Sequence, residues 1–302
     1  MNYLPTIRQL QFLCALADHG TFSKAADACL VAQPTLSAAI REIEAALGAQ
    51  LVERGARSTE LTPAGEAAVA RARRILAEAE DLVAEARQAA EPLAGPFRLG
   101  AIPTIAPFVL PKTLRKLRQS YPDLKLILRE EKTAELLTAL RSRTLDAAII
   151  ALPWPTTGVE IDVIAEDEFF LALPNGHRLT EVEELNVSSL LGEQVLLLED
   201  GHCLRGHAEA VCTMPGIHRR NDVTATSLQT MIQMVGGGLG LSLVPKIAAE
   251  AGIARGAGVT VRPFDETVPG RNIGMAWRAG SSRKDEALII SEVVRGQFSK
   301  AS

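Results

Sequence analysis

One short segment of the chain concentrates side chains that react with oxidants or bind metal ions. Residues 199–218 hold two of the four cysteines and three of the five histidines, namely His202, Cys203, His207, Cys212 and His218. Three interpretations compete. A zinc site would use some of these ligands, although their spacing matches no familiar two-plus-two zinc pattern. The other two are a pair of inert thiols packed in a core and a thiol-based redox switch.

The redox interpretation depends on where the sequence places Cys203. Apolar Val195 to Leu198 predict a strand, and Asp200 is suited to cap a helix that follows it. Cys203 then lies in the first helical turn, where the positive end of the helix dipole favours thiolate over thiol. A shift of the thiol pKa from about 8.5 toward 7 would ionise about half of it at neutral pH.

The second thiol of the segment would link this reactivity to conformation. An oxidised thiolate becomes a sulfenic acid, which another thiol can capture, and Cys212 is the obvious candidate. In a continuous helix Cys203 and Cys212 would lie about 13 Å apart, whereas a disulfide joins Cα atoms within about 7 Å. A disulfide between them therefore requires local unfolding or a large shift of this segment. A redox sensor uses such a coupling of redox state to conformation.

The elements that begin the chain predict a different kind of module. Residues 1–61 predict three short helices, the third from about Pro34 to Leu47, and then two short strands around a Gly-Ala-Arg-Ser turn. This order is typical of a winged helix-turn-helix. Polar and basic side chains at the start of the third helix and in the wing are suited to base edges and phosphates. These candidates are Gln33, Pro34, Thr35, Ser37, Arg41, Arg54 and Arg57.

Charge counting alone leaves the DNA interpretation open. Residues 1–65 carry five basic and six acidic side chains, and the whole chain has a net charge of −4. A phosphate-binding surface is usually more basic than this. A plain solvated helix face is therefore the alternative for the same residues.

The next segment predicts one long helix over 62–91. Thr62-Pro63 is suited to begin a helix, and neither glycine nor proline follows Gly65 before residue 92. Small and apolar residues recur in a heptad-like row, which favours dimerisation, although packing on the helix's own domain is the alternative. The row consists of Ala68, Ala72, Ile75, Ala79, Leu82 and Ala86.

Residues 92–302 predict an α/β domain. A Pro- and Gly-rich hinge at 91–96 is followed by alternating strands and helices. Pro153-Trp154-Pro155 interrupts this pattern and is interpreted as a crossover between two subdomains. The predicted strands are Phe97 to Ala101, Leu124 to Arg129, Ala147 to Ala151, Phe169 to Leu173, Val195 to Leu198, Leu241 to Val244, Val259 to Val261 and Ile273 to Trp277.

Length and composition limit the class of protein. The 302 residues are enough for two or three folding units, and 47% hydrophobic with 23% charged residues is ordinary for a globular protein. No long uncharged apolar run and no signal-peptide pattern occur, so we expect a cytoplasmic protein without membrane contact. Its cysteines should be thiols, with Cys14 and Cys29 as core residues on apolar helix faces.

The stretch TFSKAADACLVAQPTLSAAIREIEAALGAQLVERGARSTELTPAGE resembles the winged helix-turn-helix of LysR-type transcriptional regulators. That resemblance implies a linker helix that pairs two subunits and a regulatory domain of two Rossmann-like, periplasmic-binding-protein-like subdomains around a cleft. It places subdomain I at approximately 97–162 and 268–302, and subdomain II at approximately 163–267.

A second resemblance concerns the cysteine segment. LEDGHCLRGHAEAVC resembles the sensing segment of the peroxide-responsive members of the LysR family. The resemblance implies that Cys203 reacts with hydrogen peroxide and that Cys212 forms the disulfide. It also implies supporting roles around the peroxide for Thr104, Thr133, His202, Arg205 and Arg271. A cap for the helix that begins near Ile105 is the alternative role for Thr104.

Together these observations predict a peroxide-sensing transcriptional regulator that is not an enzyme and needs no cofactor or metal. Expected partners are double-stranded promoter DNA, hydrogen peroxide as the signal, further copies of the chain in a homodimer or homotetramer, and RNA polymerase. Two alternatives remain open at this point. One is a LysR-type regulator that responds to a small metabolite in the cleft, and the other is a thiol peroxidase.

Overall fold

The computed structural model describes residues 4–54, 59–88, 92–211, 216–220 and 223–298, without the side chains of residues 54, 80–81, 84–88 and 219. The chain forms two compact units. One comprises Met1–Ala89 with Ser142–Thr144, and the other comprises Ala90–Arg141 with Leu145–Ser302. Within the described part, no helix is both long enough and apolar enough to cross a membrane.

The first unit begins with the predicted winged helix-turn-helix. Its elements are α1 (Ile7–His19), α2 (Phe22–Ala28), α3 (Gln33–Leu47), β1 (Val52–Arg54) and β2 (Thr59–Leu61). The helix ends follow local sequence chemistry. Thr6 and Gln9 form a capping box on α1, and Thr21 accepts a hydrogen bond from the Lys24 amide at the start of α2. Apolar faces of the three helices pack into one core around Leu36, which is fully buried.

The long helix α4 (Pro63–Gln88) follows, and Thr62 caps it by accepting a hydrogen bond from the Gly65 amide at 3.0 Å. The predicted apolar row divides into two parts. Ala72 is buried and Ala68 partly buried in the core of the winged module. Ile75 and Leu82 remain 48% and 68% exposed. Ala79 is half-buried, and the side chain of Ala86 lies outside the described part. Packing on its own domain therefore accounts for the start of this row only.

The second unit contains two sheets with helices around each. In chain order its elements are β3 (Gly95–Ala101), α5 (Ala106–Ser120), β4 (Leu124–Glu130), α6 (Thr133–Arg141), β5 (Ala147–Leu152), β6 (Val159–Asp167), β7 (Phe169–Pro174), β8 (Gln194–Leu196), α7 (Cys203–Val211), β9 (His218–Arg219), α8 (Leu228–Gly236), β10 (Leu241–Pro245), α9 (Lys246–Glu250), β11 (Val259–Pro263), β12 (Arg271–Arg278) and α10 (Lys284–Arg295).

The strand orders show two subdomains of the expected α/β type. The first sheet has the order β4-β3-β5-β12-β6, and the second has the order β11-β7-β10-β8-β9. Strands β4, β3 and β5 are parallel, whereas β12 is antiparallel to both of its neighbours. The continuous apolar run of β5 is buried on both faces, as a central parallel strand requires. The chain therefore enters the second sheet after β6 and returns to the first at β12.

All eight predicted strands are present, with ends shifted by up to two residues, but β6 and β9 were missed. One interpretation was wrong. Pro153-Trp154-Pro155 joins β5 to β6 within the first sheet and is not a crossover between subdomains, because β6 pairs with β12 along its whole length. The expected boundary at residue 162 falls inside β6, which stays in the first sheet as far as Asp167. Its alternating apolar and acidic residues were the overlooked signal of an edge strand.

Candidate functional site

Cys203 lies where the two subdomains meet. Thr104 follows β3 and Thr133 begins α6 after β4, so both lie near the carboxyl ends of parallel strands in the first sheet. Ligands bind most often at such strand ends in open α/β sheets. Cys203 begins α7 in the second subdomain, yet its side chain packs in the hydrophobic core of the first. Arg271 enters the same region as the first residue of β12.

The environment of the Cys203 thiol is mostly apolar. Its side chain is only 5% exposed, and this burial raises the pKa of the thiol above its usual value. Three influences act in the opposite direction and favour the thiolate: the Arg271 guanidinium, the Thr133 hydroxyl and the amides of Cys203 and Leu204 at the start of α7. The expectation of a lowered thiol pKa was therefore wrong, because desolvation outweighs the helix start and the nearby cation.

Arg271 is held by a buried network. Its Nε donates to Asp167 Oδ2 at 2.9 Å, its Nη1 to Thr104 Oγ1 at 2.8 Å, and its Nη2 to the Thr104 carbonyl at 3.1 Å. Both charged side chains have no exposed surface. Burial raises the pKa of the Asp167 carboxyl, while Arg271 and the Ile247 amide oppose that rise. The network fixes a cation beside the thiol and joins β6, β12 and the loop after β3.

The role of Thr104 follows from that network. Helix α5 begins at Ala106 with Ile105 as its cap residue, and no side chain caps it. Thr104 therefore does not cap this helix, which was the alternative role considered for it. Because its hydroxyl oxygen accepts from Arg271, its own proton remains available to a neighbour.

The structure places His202 and Arg205 in other contacts. His202 Nε2 lies 3.6 Å from Glu199 Oε1, and burial lowers the pKa of this imidazole. Arg205 donates to the Leu198 carbonyl and to the Glu209 carboxylate, both at 3.2 Å. Neither makes a hydrogen bond to Cys203. Arg271 and Thr133 thus lie near the thiol, and Thr104 is bound to Arg271. His202 and Arg205 instead brace the segment that precedes and begins α7.

Asp200 does not cap α7 as expected. Its side chain is 92% exposed and pairs with Arg205, while α7 begins three residues later at Cys203. The loop is held instead by Lys132 of the first subdomain. Lys132 Nζ donates to Glu199 Oε1 at 2.8 Å and to the Asp200 carbonyl at 3.2 Å. Gly201, with φ +90°, allows the turn that brings this loop against Lys132.

Two buried polar atoms near the thiol have no hydrogen-bond partner in the described part of the chain. They are Thr133 Oγ1 and His207 Nδ1. Thr133 lies close enough to favour the thiolate of Cys203 but makes no hydrogen bond of ordinary geometry with it. Unpaired buried polar groups are rare in folded proteins. These two atoms are candidate hydrogen-bonding groups of the site.

Sequence reasoning missed three residues of this region. Lys132 and Asp167 lie far from Cys203 in sequence, so no local pattern indicated them. His207 was considered only as a zinc ligand, although its spacing of four residues from Cys203 already placed both on one helix face. Within the described ranges, no group of three metal-binding side chains is close enough to hold an ion. Cys212 lies outside those ranges.

The candidate DNA-binding residues whose side chains the structure describes lie on α3. Gln33, Pro34, Thr35 and Arg41 are exposed along α3, and Ser37 is half-buried. The side chain of Arg54 and the whole of Arg57 lie outside the described part. The remaining cysteines of this module are Cys14, which is buried, and Cys29, which is partly buried. Burial raises the pKa of Cys14 to about 11.

Comparison with known proteins agrees with both halves of this architecture. Residues 7–66 match the family described as bacterial regulatory helix-turn-helix protein, lysR family, and residues 90–298 match the LysR substrate binding domain. The chain belongs to the LysR family of transcriptional regulators. As in other members, a winged helix-turn-helix precedes a two-subdomain regulatory domain.

Similar LysR proteins include regulators named for peroxide. A probable hydrogen peroxide-inducible genes activator of Mycobacterium avium is 39% identical over 98% of this chain and 96% of that protein. The DNA-binding transcriptional dual regulator OxyR of Escherichia coli is 38% identical over 97% of this chain and 95% of its own length. The structure of a full-length OxyR variant from Pseudomonas aeruginosa superposes with a TM-score of 0.78 at 32% identity, covering 97% of this chain and 95% of that one.

Proposed function

We propose that this LysR-type regulator senses hydrogen peroxide and that Cys203 is the residue that reacts. The observation that carries the proposal is the position of Cys203: a buried thiol at a helix start, beside the Arg271 cation and the unpartnered Thr133 hydroxyl. The likeness to peroxide-inducible activators along nearly the whole chain supports it. Thr104 and Thr133 supply hydroxyls that can hydrogen-bond to a peroxide at the thiol.

The chemistry begins with a two-electron oxidation of sulfur. The sulfur of Cys203 attacks one peroxide oxygen, an S–O bond forms, the O–O bond breaks, and the departing hydroxide becomes water on protonation. Arg271 stabilises the negative charge that develops on sulfur and on the leaving oxygen. Because the resting thiol is buried, we expect it to react with a small neutral oxidant far better than with bulky thiol reagents.

The second step is the switch. Capture of the sulfenic acid by Cys212 produces a disulfide and releases water. An intact α7 keeps Cys203 and Val211 about 12 Å apart, whereas a disulfide spans at most about 7 Å and one chain step adds about 3.8 Å. The disulfide therefore requires part of α7 to unwind. Unwinding from its first turn would also break the contact of Lys132 with the preceding loop.

The output is a change in DNA binding. In this proposal Gln33, Thr35, Ser37 and Arg41 contact bases and phosphates from the start of α3, with the arginines of the wing on the backbone. Exposed Ile75 and Leu82 on α4 provide an apolar surface for a second copy of the chain. Rearrangement around α7 then changes how copies associate in the dimer or tetramer, and thereby how RNA polymerase is recruited.

The test compares Cys203→Ser with the wild type and with Cys29→Ser as a control that removes a thiol elsewhere. DNA is first selected from a random pool by the full-length reduced protein. Peroxide should then change the binding of wild type and Cys29→Ser to this DNA, while Cys203→Ser should not respond. If peroxide changes DNA binding by Cys203→Ser as it does for the wild type, the assignment is refuted. Consumption of many equivalents of peroxide with a reductant would instead indicate a thiol peroxidase.

One cavity favours a second candidate function, regulation by a small metabolite. A cavity of about 530 Å³ is lined by residues of α5 and α9 and by Asp167, whose carboxylate holds Arg271. This volume is in the range of small-molecule sites. Its mixed lining includes Phe108, Lys112, Lys246 and Glu250. A metabolite that raises the melting temperature of Cys203→Ser as much as that of the wild type would favour this function.

A further inference from the structure

Helix α7 presents two different faces to the two subdomains. Leu204, Ala208 and Val211 pack in the core of the second subdomain. Cys203 packs in the core of the first, and one turn later His207 reaches the Pro153 carbonyl in the connection between β5 and β6, also in the first subdomain. Side chains four residues apart in a helix are neighbours, and each leans toward the turn that precedes it. Helix geometry therefore places His207 and Cys203 on one face of α7, and the Arg271 guanidinium acts on both side chains.

The contact with Pro153 determines which ring nitrogen holds the proton. The distance from Nε2 to the carbonyl oxygen is 3.1 Å, and a carbonyl only accepts hydrogen bonds, so Nε2 carries the hydrogen. In the neutral ring Nδ1 is then an acceptor. It is buried in a side chain that is 7% exposed, and it has no partner in the described part of the chain. Burial lowers the pKa of this imidazole, which keeps the acceptor free at neutral pH.

Other groups around the thiol are unsuited to take up its proton. The Arg271 guanidinium, which acts on both Cys203 and His207, has only hydrogen-bond donors and no acceptor. The Thr133 hydroxyl can pass a proton on but does not hold one. His202 is already paired with Glu199. Among the described residues, the charged group that acts on both side chains is Arg271 on β12, which is bound to Asp167. The β5–β6 connection contributes the Pro153 carbonyl.

We propose that Nδ1 of His207 accepts the proton of the Cys203 thiol when Cys203 reacts with peroxide, an inference that rests on the function proposed above. The thiol proton moves to Nδ1, directly or through the bound peroxide, as sulfur forms its bond to oxygen. The O–O bond breaks, and the imidazolium returns the proton to the departing hydroxide to give water. Sulfur is oxidised, peroxide is reduced, and His207 ends neutral.

Two substitutions separate the two nitrogens of this ring. Glutamine in His207→Gln places an amide nitrogen near the position of Nε2, so the hydrogen bond to Pro153 can persist while the Nδ1 acceptor is lost. Asparagine in His207→Asn places a side-chain oxygen near the position of Nδ1 and loses the bond to Pro153. His202→Gln is the control for a histidine that is adjacent to Cys203 but already paired.

The experiment measures the second-order rate of Cys203 oxidation by hydrogen peroxide in the full-length reduced protein from pH 5 to 8.5. Samples are quenched with an alkylating agent and analysed by mass spectrometry. We expect His207→Gln to slow the reaction at pH 7.5 at least about tenfold, within the usual range for loss of a general base. It should also move the acid-side fall in rate from the pKa of the imidazole to the raised pKa of the Cys203 thiol, because only the thiolate then reacts. His202→Gln should keep that acid-side fall whatever its plateau.

Tryptophan fluorescence of each variant tests whether it is folded. The second variant is His207→Asn, which we expect to react faster than His207→Gln. A His207→Gln protein that reacts within twofold of wild type with the same pH profile overturns the inference about His207 alone. So does an acid-side fall that shifts in His202→Gln but not in His207→Gln. A wild-type rate no faster than that of a free thiol overturns the proposed function and this inference with it.

Discussion

The buried ion pair between Arg271 and Asp167 allows a quantitative prediction. Replacing Arg271 with methionine keeps most of the side-chain volume but leaves the Asp167 carboxylate without its cation. Neither side chain of the pair has exposed surface, so water cannot solvate the group that remains. The substitution also removes the two hydrogen bonds that Arg271 donates to Thr104, one to its hydroxyl oxygen and one to its carbonyl oxygen.

Removing one partner of a buried ion pair costs about 3–5 kcal/mol in the free energy of unfolding. In a domain of this size 1 kcal/mol corresponds to about 2–4 °C in melting temperature, so we expect Arg271→Met to melt about 6–20 °C lower. Asp167→Asn should be similarly destabilised, because it leaves the guanidinium buried and unpaired. The double variant should recover part of the loss, with a coupling energy of about 0.5–3 kcal/mol.

Tryptophan fluorescence during urea unfolding of the full chain is a suitable assay. Both tryptophans, Trp154 and Trp277, lie in the regulatory part of the sequence, so the signal reports on the correct domain. The matched control is Arg129→Met, which removes an exposed ion pair with Glu131 and should change the midpoint little.

A loss of less than about 1 kcal/mol for Arg271→Met would refute the reasoning that no water compensates the buried carboxylate. Additive effects of the two single substitutions would refute the direct coupling. The same variant has a functional consequence. Arg271 is the largest influence that lowers the pKa of Cys203, so its loss should slow peroxide oxidation even at temperatures where the protein stays folded.

Three further predictions concern other parts of the chain. Cys14, with a pKa of about 11, should resist alkylation at pH 8 in the folded protein and react after unfolding; rapid labelling in the native state would contradict its buried placement. Lys132→Met should speed disulfide formation after peroxide by about 1.5- to 5-fold, because it removes a partly exposed ion pair with Glu199 that holds the loop before α7; a mass-spectrometric time course showing no gain would count against this. Burial lowers the pKa of His202 and His207 below 6.5. The two neutral imidazoles therefore contribute stability above pH 6.5, and this stability is lost as the pH falls through their pKa values in the folded protein. The urea midpoints at pH 7.5 and 5.5 should differ less when both residues are glutamine, and an unchanged difference would refute this.

Local patterns predicted most elements of the fold. The caps at Thr21 and Thr62, the glycine stops and the apolar runs depend on neighbours within a few residues, so they can be deduced from the sequence. Strand β6 escaped because it lies at a sheet edge and its acidic residues obscure the pattern. Pro153-Trp154-Pro155 was wrongly interpreted as a crossover between subdomains, because prolines that end one strand do not show which sheet the next strand joins.

The amino-acid sequence by itself determined the modules, their order and the identity of the reactive cysteine candidate, because helix periodicity, turn residues and a cysteine-histidine motif are local. Only the tertiary structure decided the electrostatics of that cysteine. Burial of Cys203 in the core of the other subdomain outweighs its helix start, and the cation that opposes this burial, Arg271, is distant in sequence and held by Asp167. The pKa of an ionisable group depends on its desolvation and on the charged and hydrogen-bonding groups near it in space, and neither is determined by neighbours along the chain.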